Sequence, residues 1–173
     1  MNSDSNMLEK YIEAYGKDVY SFCMYLTHDR NNADDLYQQT FLVAMENDEI
    51  DDDRNPKSYL ISIAVNLWNN LKRKYSWRRK KVNIVYLNDD SQEEPAAGDN
   101  VEEQVVRRDE EEYVRRLVCE LPDKLRAVVL MYYMEEMSLL EIAAALNIPS
   151  GTVKSRMHEA KNRLRERLNK NER

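Results

Sequence analysis

The side chains of this chain that are best suited to chemistry are cations, and many of them occur in two separate clusters. Residues 71–81 (LKRKYSWRRKK) contain seven Lys or Arg side chains and no acidic one. Tyr75 and Trp77 lie among these cations, and Trp68 precedes them. This combination suits single-stranded nucleic acid, because phosphates attract the cations and unpaired bases stack on aromatic rings. A solvated charged surface without a partner is the alternative interpretation.

The second basic cluster belongs to a predicted helix-turn-helix at residues 138–164. Ala143 is small where the two helices approach each other, and Asn147 stands in the turn, where it tolerates left-handed backbone. Residues 151–173 carry eight basic and three acidic side chains, so the second helix suits the major groove and its phosphates. A helix pair in an ordinary bundle would show the same apolar pattern. The residues that we predict to contact duplex DNA are Ser150, Thr152, Lys154, Ser155, Arg156, His158, Glu159 and Arg163.

The residue pattern gives no support to catalysis or metal binding. His28 and His158 are far apart in the sequence, and no Cys/His cluster has metal-ligand spacing. Three scattered glycines cannot form a phosphate-binding loop. Cys23 and Cys119 lie on apolar helical faces and are expected to be buried free thiols. We therefore expect no enzymatic activity, no catalytic residue, no metal site and no cofactor.

An acidic segment divides the chain. Residues 88–112 contain eleven acidic and two basic side chains, together with Pro95 and Gly98, and few large apolar residues. Such a segment cannot bury enough apolar surface to offset the entropy lost on ordering. We therefore predict domains at 1–87 and 113–173, joined by a flexible acidic linker at 88–112.

Helical periodicity extends through both predicted domains. Asn55 and Pro56 are suited to begin a helix, and Ser138 with Glu141 forms a capping-box pattern. Tyr132, Tyr133 and the methionines at 131, 134 and 137 are predicted to lie in the core. The scarcity of glycine and proline also favours helices with short connections, so we predict an all-α fold of two small helical domains.

No apolar run approaches the roughly 20 residues that span a bilayer. The first residues, MNSDS, also lack the pattern of a secretory signal. We therefore expect an intracellular protein without membrane insertion.

Three segments, in this order, resemble the extracytoplasmic-function (ECF) group of bacterial sigma factors, two-domain members of the sigma-70 family. Residues 33–41 (ADDLYQQTF) resemble the family's polymerase-clamp-binding helix. Residues 58–66 (SYLISIAVN) and 71–73 (LKR) resemble its −10-binding helix. Residues 121–167 resemble its −35-binding domain, with 151–156 (GTVKSR) as the most specific motif.

The resemblance implies a fold made of a region 2-like bundle and a region 4-like helix-turn-helix domain. It implies a factor that binds core RNA polymerase, directs it to specific promoters and helps to open the −10 element. The implied polymerase-binding residues are Asp34, Asp35, Leu36, Gln38 and Gln39. The implied −10 DNA-binding residues are Asn55, Lys57, Asn66, Trp68, Lys72, Arg73 and Lys74.

The resemblance also implies the partners. They are the clamp of the polymerase β′ subunit, the flap of the β subunit, promoter DNA, and an anti-sigma factor or another recruiting or regulatory protein. The implied location is the cytoplasm, with nucleoid association when the chain is bound to polymerase.

Two positions depart from the family's pattern. Tyr59 stands where the family usually has Trp, and Glu159 stands where several relatives have a basic residue. An acidic side chain at 159 would repel phosphate but could accept from a cytosine amino group. Either another factor helps to recruit the chain, or its preferred DNA sequence differs. Two alternatives come from other classes: a stand-alone helix-turn-helix regulator that binds promoters without polymerase, and a protein-binding adaptor whose basic helix ends are incidental.

Overall fold

A computed structural model describes residues 2–47, 55–83 and 107–171, and its regular elements in these ranges are helices. This confirms the predicted all-α fold. Within the described ranges, no helix is both long enough and apolar enough to cross a membrane. The elements are α1 (Asn2–Thr27), α2 (Arg30–Asn47), α3 (Pro56–Asn83), α4 (Arg107–Cys119), α5 (Asp123–Val129), a π-helical turn (Leu130–Met134), α6 (Leu139–Leu146) and α7 (Ser150–Asn171).

Helices α1, α2 and α3 pack together as a first unit. Phe22 of α1, Leu36 of α2 and Leu60 of α3 are fully buried, because each helix turns one apolar stripe inward. Asn55 caps α3 as predicted: its Oδ1 accepts from the Ser58 N–H at 3.3 Å. Pro56 occupies the first helical position, where its missing N–H is not needed. These features place the basic cluster at the far end of one long helix.

Helices α4 to α7 and the π-helical turn form a second unit. At the start of α6, the Ser138 hydroxyl accepts from the Glu141 N–H at 3.1 Å, and Glu141 accepts from the Ser138 N–H at 2.7 Å. At its end, Asn147 has a left-handed φ of 52°. Val153 and Met157 then anchor α7 in the core. This geometry confirms the predicted helix-turn-helix.

The beginning of the second unit differs from the prediction. Helix α4 starts at Arg107, so the last six residues of the segment predicted as linker are helical. Acidic residues are stabilising near a helix N-terminus, and Glu111 lies 3.9 Å from Arg115 one turn later. Residues 88–106 of the predicted linker lie outside the described residues.

The prediction that Tyr132 and Tyr133 lie in the core is wrong. Their side chains are 37% and 59% exposed, whereas Met131 and Met137 are buried as predicted. The backbone widens into the π-helical turn at Leu130–Met134. A wider turn rotates the following side chains away from the positions that a 3.6-residue period assigns to them.

The two units pack against each other. Their buried apolar residues form one continuous cluster, to which α1, α3, α5 and α6 all contribute. Contacts join α1 to α5 and to the π-helical turn, and α3 to α6. The surfaces of α3 are therefore described below together with the parts of the second unit that face them.

Candidate polymerase and nucleic-acid interfaces

Helix α2 presents only part of the predicted polymerase-binding set to solvent. Asp35, Gln38 and Gln39 are exposed, whereas Leu36 is buried in the core of the first unit. Asp34 is half-buried, and its carboxylate accepts from the Tyr20 hydroxyl at 2.7 Å. This hydrogen bond, together with burial, raises the pKa of the Tyr20 hydroxyl. Three of the five predicted residues are therefore exposed to solvent, and the other two make contacts within the first unit.

A groove of about 700 Å³ lies between α2 and α3. Asp35, Gln38 and Gln39 line the α2 side, and Lys74 and Tyr75 are among the residues that line the α3 side. The predicted polymerase-binding surface and the predicted −10 surface thus share one groove, a relationship that periodicity within either helix does not reveal.

The basic end of α3 is helical to Asn83. The side chains of Lys72, Arg73 and Lys74 are exposed, and so is the ring of Tyr75. Trp68 is only 5% exposed, and the Lys72 ammonium lies 4.9 Å from the centroid of its ring. The buried Trp68 ring therefore packs beneath the exposed cations and contacts Lys72. The side chains of Trp77 and of the four cations at 78–81 lie outside the described residues.

The remaining predicted −10 residues face the second unit, apart from Asn55, which is exposed at the start of α3. The Asn66 amide donates to the Ala145 carbonyl at 3.0 Å. Lys57 Nζ lies 3.1 Å from the Glu135 carboxylate.

Lys72 also contacts the second unit, with its Nζ 3.3 Å from the carboxylate of Asp123. Three predicted DNA contacts, at Lys57, Asn66 and Lys72, thus have partners in the second unit.

The ion pair of Glu135 and Lys57 is asymmetric. The Glu135 side chain is 2% exposed and that of Lys57 is 27% exposed. Burial raises the pKa of the Glu135 carboxyl, because one ammonium group only partly replaces the lost hydration. Burial alone would lower the pKa of Lys57, but Glu135 and Asp18, whose carboxylate lies 3.5 Å from Lys57 Nζ, together raise it.

The second helix of the helix-turn-helix, α7, keeps most of its predicted DNA contacts accessible. Lys154, Ser155, His158, Glu159 and Arg163 are exposed, whereas Ser150, Thr152 and Arg156 are half-buried.

Glu159 and Arg163 form an ion pair on α7 that contains two hydrogen bonds. Glu159 accepts from Arg163 Nη2 at 2.7 Å and from its Nε at 3.1 Å. The Arg163 guanidinium is therefore paired with a carboxylate one turn away.

Sequence reasoning missed the partners of the −10 surface in the second unit. Glu135 follows a run of apolar residues (VVLMYYM), and Arg126 lies between apolar residues of α5. A charged residue inside an apolar run is a signal for a buried ion with a specific partner. Both side chains are in fact buried, but the sequence does not indicate which residues they meet.

Both cysteines are free, and Cys23 is fully buried as predicted, whereas Cys119 is half-buried. Within the described ranges, no group of three or more His, Cys, Asp or Glu side chains could hold a metal ion.

Comparison with known proteins identifies relatives for both units. Residues 11–78 match the family model for sigma-70 region 2, and residues 111–164 match the model for sigma-70 region 4. The chain is 30% identical over 175 residues to the ECF RNA polymerase sigma factor SigW of Bacillus subtilis (strain 168), in an alignment that covers 95% of this chain and 90% of SigW. It is 27% identical over 168 residues to SigM of the same organism, covering 94% and 96% of the two chains.

A solved structure has a similar fold. It is the sigma factor RpoE in complex with the anti-sigma factor NepR from Bartonella quintana, with a TM-score of 0.67 and 22% identity. The superposition covers 93% of this chain and 96% of RpoE.

Proposed function

We propose, from the premise that this chain belongs to the ECF group of the sigma-70 family of RNA polymerase sigma factors, that it binds core polymerase, directs it to specific promoters and helps to open the −10 element. The observation that carries the proposal is the groove between α2 and α3. Polar residues suited to a protein partner line its α2 side, and Lys74 and Tyr75, suited to a nucleic-acid strand, lie on its α3 side. Polymerase docking and strand capture would then occur at adjacent surfaces.

Polymerase docking is assigned to the exposed face of α2. Asp35, Gln38 and Gln39 offer one carboxylate and two amides that could bond to the clamp of the β′ subunit. Leu36 is in the core, and Asp34 is bonded to Tyr20, so we assign both a positioning role. The flap of the β subunit is the proposed partner of the second unit.

Strand capture is assigned to α3. Arg73 and Lys74 attract phosphates, and the exposed ring of Tyr75 can stack with an unpaired base, which contributes roughly 1–3 kcal/mol per base. Asn55, Lys57 and Asn66 lie nearer the start of the helix. The side-chain amides of Asn55 and Asn66 could bond to base edges there. Trp68 and Lys72 act as a stacked pair that shapes this surface.

Duplex reading of the −35 element is assigned to α7. Lys154 and Ser155 are exposed near its beginning, where helices of this kind meet base edges. Thr152, Arg156 and His158 complete the groove-facing set, and Ser150 lies at the helix start, where backbone N–H groups favour a phosphate. Arg163 lies about two turns beyond Arg156 and suits the DNA backbone.

Regulation by another protein is also part of the proposal. RpoE of Bartonella quintana was solved with an anti-sigma factor bound, and we propose a regulatory partner of that kind, or a recruiting factor, for this chain. Glu159 pairs with Arg163 and would compete with phosphate for this guanidinium, which would make a recruiting factor useful. The chain would act in the cytoplasm and join the nucleoid when bound to polymerase.

Run-off transcription on a promoter library, with and without core polymerase, tests the proposal. We expect specific transcripts only when the chain and core polymerase are both present. Promoter binding by the chain alone, as tight as in the presence of polymerase, would instead favour a stand-alone regulator. No polymerase complex and no DNA binding would favour an adaptor.

A further inference from the structure

We infer that Gly16 of α1 is a positioning residue for the polymerase-docking face of α2, and that it acts through the side chain of Tyr37. The inference rests on the proposed function, since it concerns the face assigned to polymerase docking. Tyr37 lies between Leu36, which is buried, and Gln38, which is exposed on that face. A contact that places Tyr37 therefore also places the side chains that would meet the polymerase.

Gly16 stands at a position where a glycine needs an explanation. It is buried near the middle of α1, which runs from Asn2 to Thr27. Glycine in the interior of a helix is less favourable than alanine, because it loses more conformational freedom on folding. The φ angle of Gly16 is not positive, so its backbone conformation would accept an alanine. The remaining reason for a glycine is the space that a side chain would fill.

Tyr37 occupies that space. A Cβ atom at position 16 would lie 2.9 Å from the Tyr37 hydroxyl oxygen and 4.0 Å from the ring carbon Cζ that carries it. Carbon atoms that are not bonded to each other prefer separations of about 3.5–4.0 Å. A carbon and an oxygen 2.9 Å apart are too close, so the hydroxyl and a methyl group at 16 cannot both keep their places. The missing methyl group of Gly16 thus forms a notch in α1, and the Tyr37 hydroxyl fits into this notch.

Neighbouring rings hold the Tyr37 side chain in the notch. Its ring packs edge-on against Tyr20, with the centroids 5.6 Å apart, and against Phe41, with the centroids 5.0 Å apart. Burial raises the pKa of the Tyr37 hydroxyl, in keeping with a position partly removed from water. Tyr20 is held in turn by its 2.7 Å hydrogen bond to Asp34. A methyl group in the notch would therefore push α2 away from α1 rather than rotate one side chain.

A displacement of α2 at Tyr37 would move the docking side chains. The start of α2 is fixed by Asp29, whose carboxylate accepts from the Asn32 N–H at 2.8 Å. A helix that is held at its start and pushed about two turns later must tilt, so Gln38 and Gln39 would shift relative to the rest of the first unit. Binding constellations tolerate displacements of only about 0.5 Å. Polymerase affinity should therefore depend on the size of residue 16.

The test titrates fluorescent forms of the full chain with core polymerase. The variants are Gly16→Ala, Tyr37→Phe and the two changes combined, beside the docking variant Asp35→Ala with Gln38→Ala. Gly151→Ala adds the same methyl group to α7, where it would meet no side chain of the described residues beyond its two neighbours within 4 Å. It is the control for stability, measured by urea unfolding.

We expect Gly16→Ala to weaken the polymerase complex by roughly fivefold, within the range of coupling between residues in contact. Tyr37→Phe alone should bind like the wild type. The double variant should recover wild-type affinity within about twofold, because the methyl group then takes the place of the hydroxyl at an ordinary distance from Cζ. A role in helix stability alone would give no such recovery, since alanine favours the helix with either residue at 37.

Wild-type affinity of a folded Gly16→Ala variant, beside weakened binding by the docking variant, would overturn the positioning role and leave the docking face intact. Weakened binding that Tyr37→Phe does not relieve would also overturn it. Undiminished binding by the docking variant would instead refute the docking face, and the inference with it, whatever the result for Gly16→Ala. If Gly16→Ala does not fold, as judged by circular dichroism, Tyr37→Trp enlarges the other partner of the contact. It should also weaken the complex, and wild-type affinity would overturn the inference.

Discussion

Arg126 in the second unit donates a hydrogen bond from its Nε to the main-chain carbonyl of Leu26 in the first unit, 3.0 Å away and 100 positions earlier in the chain. Its Nη1 donates to the carbonyls of Cys119 and Leu121 at 2.8 and 2.9 Å, and its Nη2 contacts the Asp123 carboxylate. Arg126 is 6% exposed. One buried guanidinium thus forms hydrogen bonds with the turn between α4 and α5 and with the end of α1.

Replacing Arg126 by Met should therefore lower the free energy of unfolding by about 3–5 kcal/mol, because three main-chain carbonyls lose their donor and the Asp123 carboxylate loses its cation. Urea denaturation followed by circular dichroism measures the change. Lys124→Ala, an exposed cation two positions earlier in α5, should change stability by less than about 0.5 kcal/mol. Similar midpoints for the two variants would show that the Arg126 hydrogen bonds contribute little to stability.

Asp35 and Asp34 are neighbours in sequence, but replacing them by Ala should affect different properties: polymerase affinity for Asp35 and stability for Asp34. Asp35→Ala, combined with Gln38→Ala, should weaken the complex with core polymerase and leave unfolding unchanged within about 0.5 kcal/mol. Asp34→Ala removes the acceptor of the Tyr20 hydroxyl and should lower stability by about 1 kcal/mol. Titration of fluorescent variants with core polymerase, beside urea unfolding, separates the two effects. Undiminished binding by the Asp35/Gln38 variant would refute the docking assignment.

Neutralising Glu159 should release Arg163 for phosphate. We expect Glu159→Gln to increase the affinity of the polymerase complex for promoter DNA. The slope of log affinity against log salt should become steeper by about one. Glu166→Gln, an exposed change of the same charge on the same helix, provides the control. Reduced affinity that is confined to particular promoter sequences would indicate that Glu159 reads a cytosine amino group instead.

Cys23 should make the fold sensitive to alkali. Burial raises the pKa of its thiol from the ordinary 9.0 to about 12, so above pH 9 the unfolded chain loses this proton while the folded chain keeps it. The stabilisation is complete below pH 9 and is lost as pH rises toward 12, by about 1.4 kcal/mol per pH unit.

Unfolding measured in urea between pH 8 and 10.5 provides the test. The difference in stability between wild type and Cys23→Ala should shrink with increasing pH, and contributions from groups that do not interact with Cys23 cancel in this comparison. A difference that is independent of pH would show that the Cys23 thiol titrates normally in the folded chain.

The sequence by itself determined the helices and their local ends. Caps such as Asn55 and Ser138, and the left-handed Asn147, depend on residues within about one turn, so their types predict their conformation. The apolar stripe of α2 is likewise a property of one helix, and Leu36 on it is buried. At the π-helical turn the helical period differs from 3.6 residues, and the prediction that Tyr132 and Tyr133 are buried was wrong.

The tertiary structure alone decided which polar groups meet. Asn66 and Ala145 are 79 positions apart, and neither residue type identifies the other, because any helix end leaves carbonyl groups without partners. Glu135 and Lys57 pair because the packing of α1 and α3 against the second unit removes the carboxylate from water, and a carboxylate without water needs a cation. The residues assigned to −10 DNA stay a prediction from the family resemblance, whereas their contacts with the second unit depend on how two helical surfaces pack.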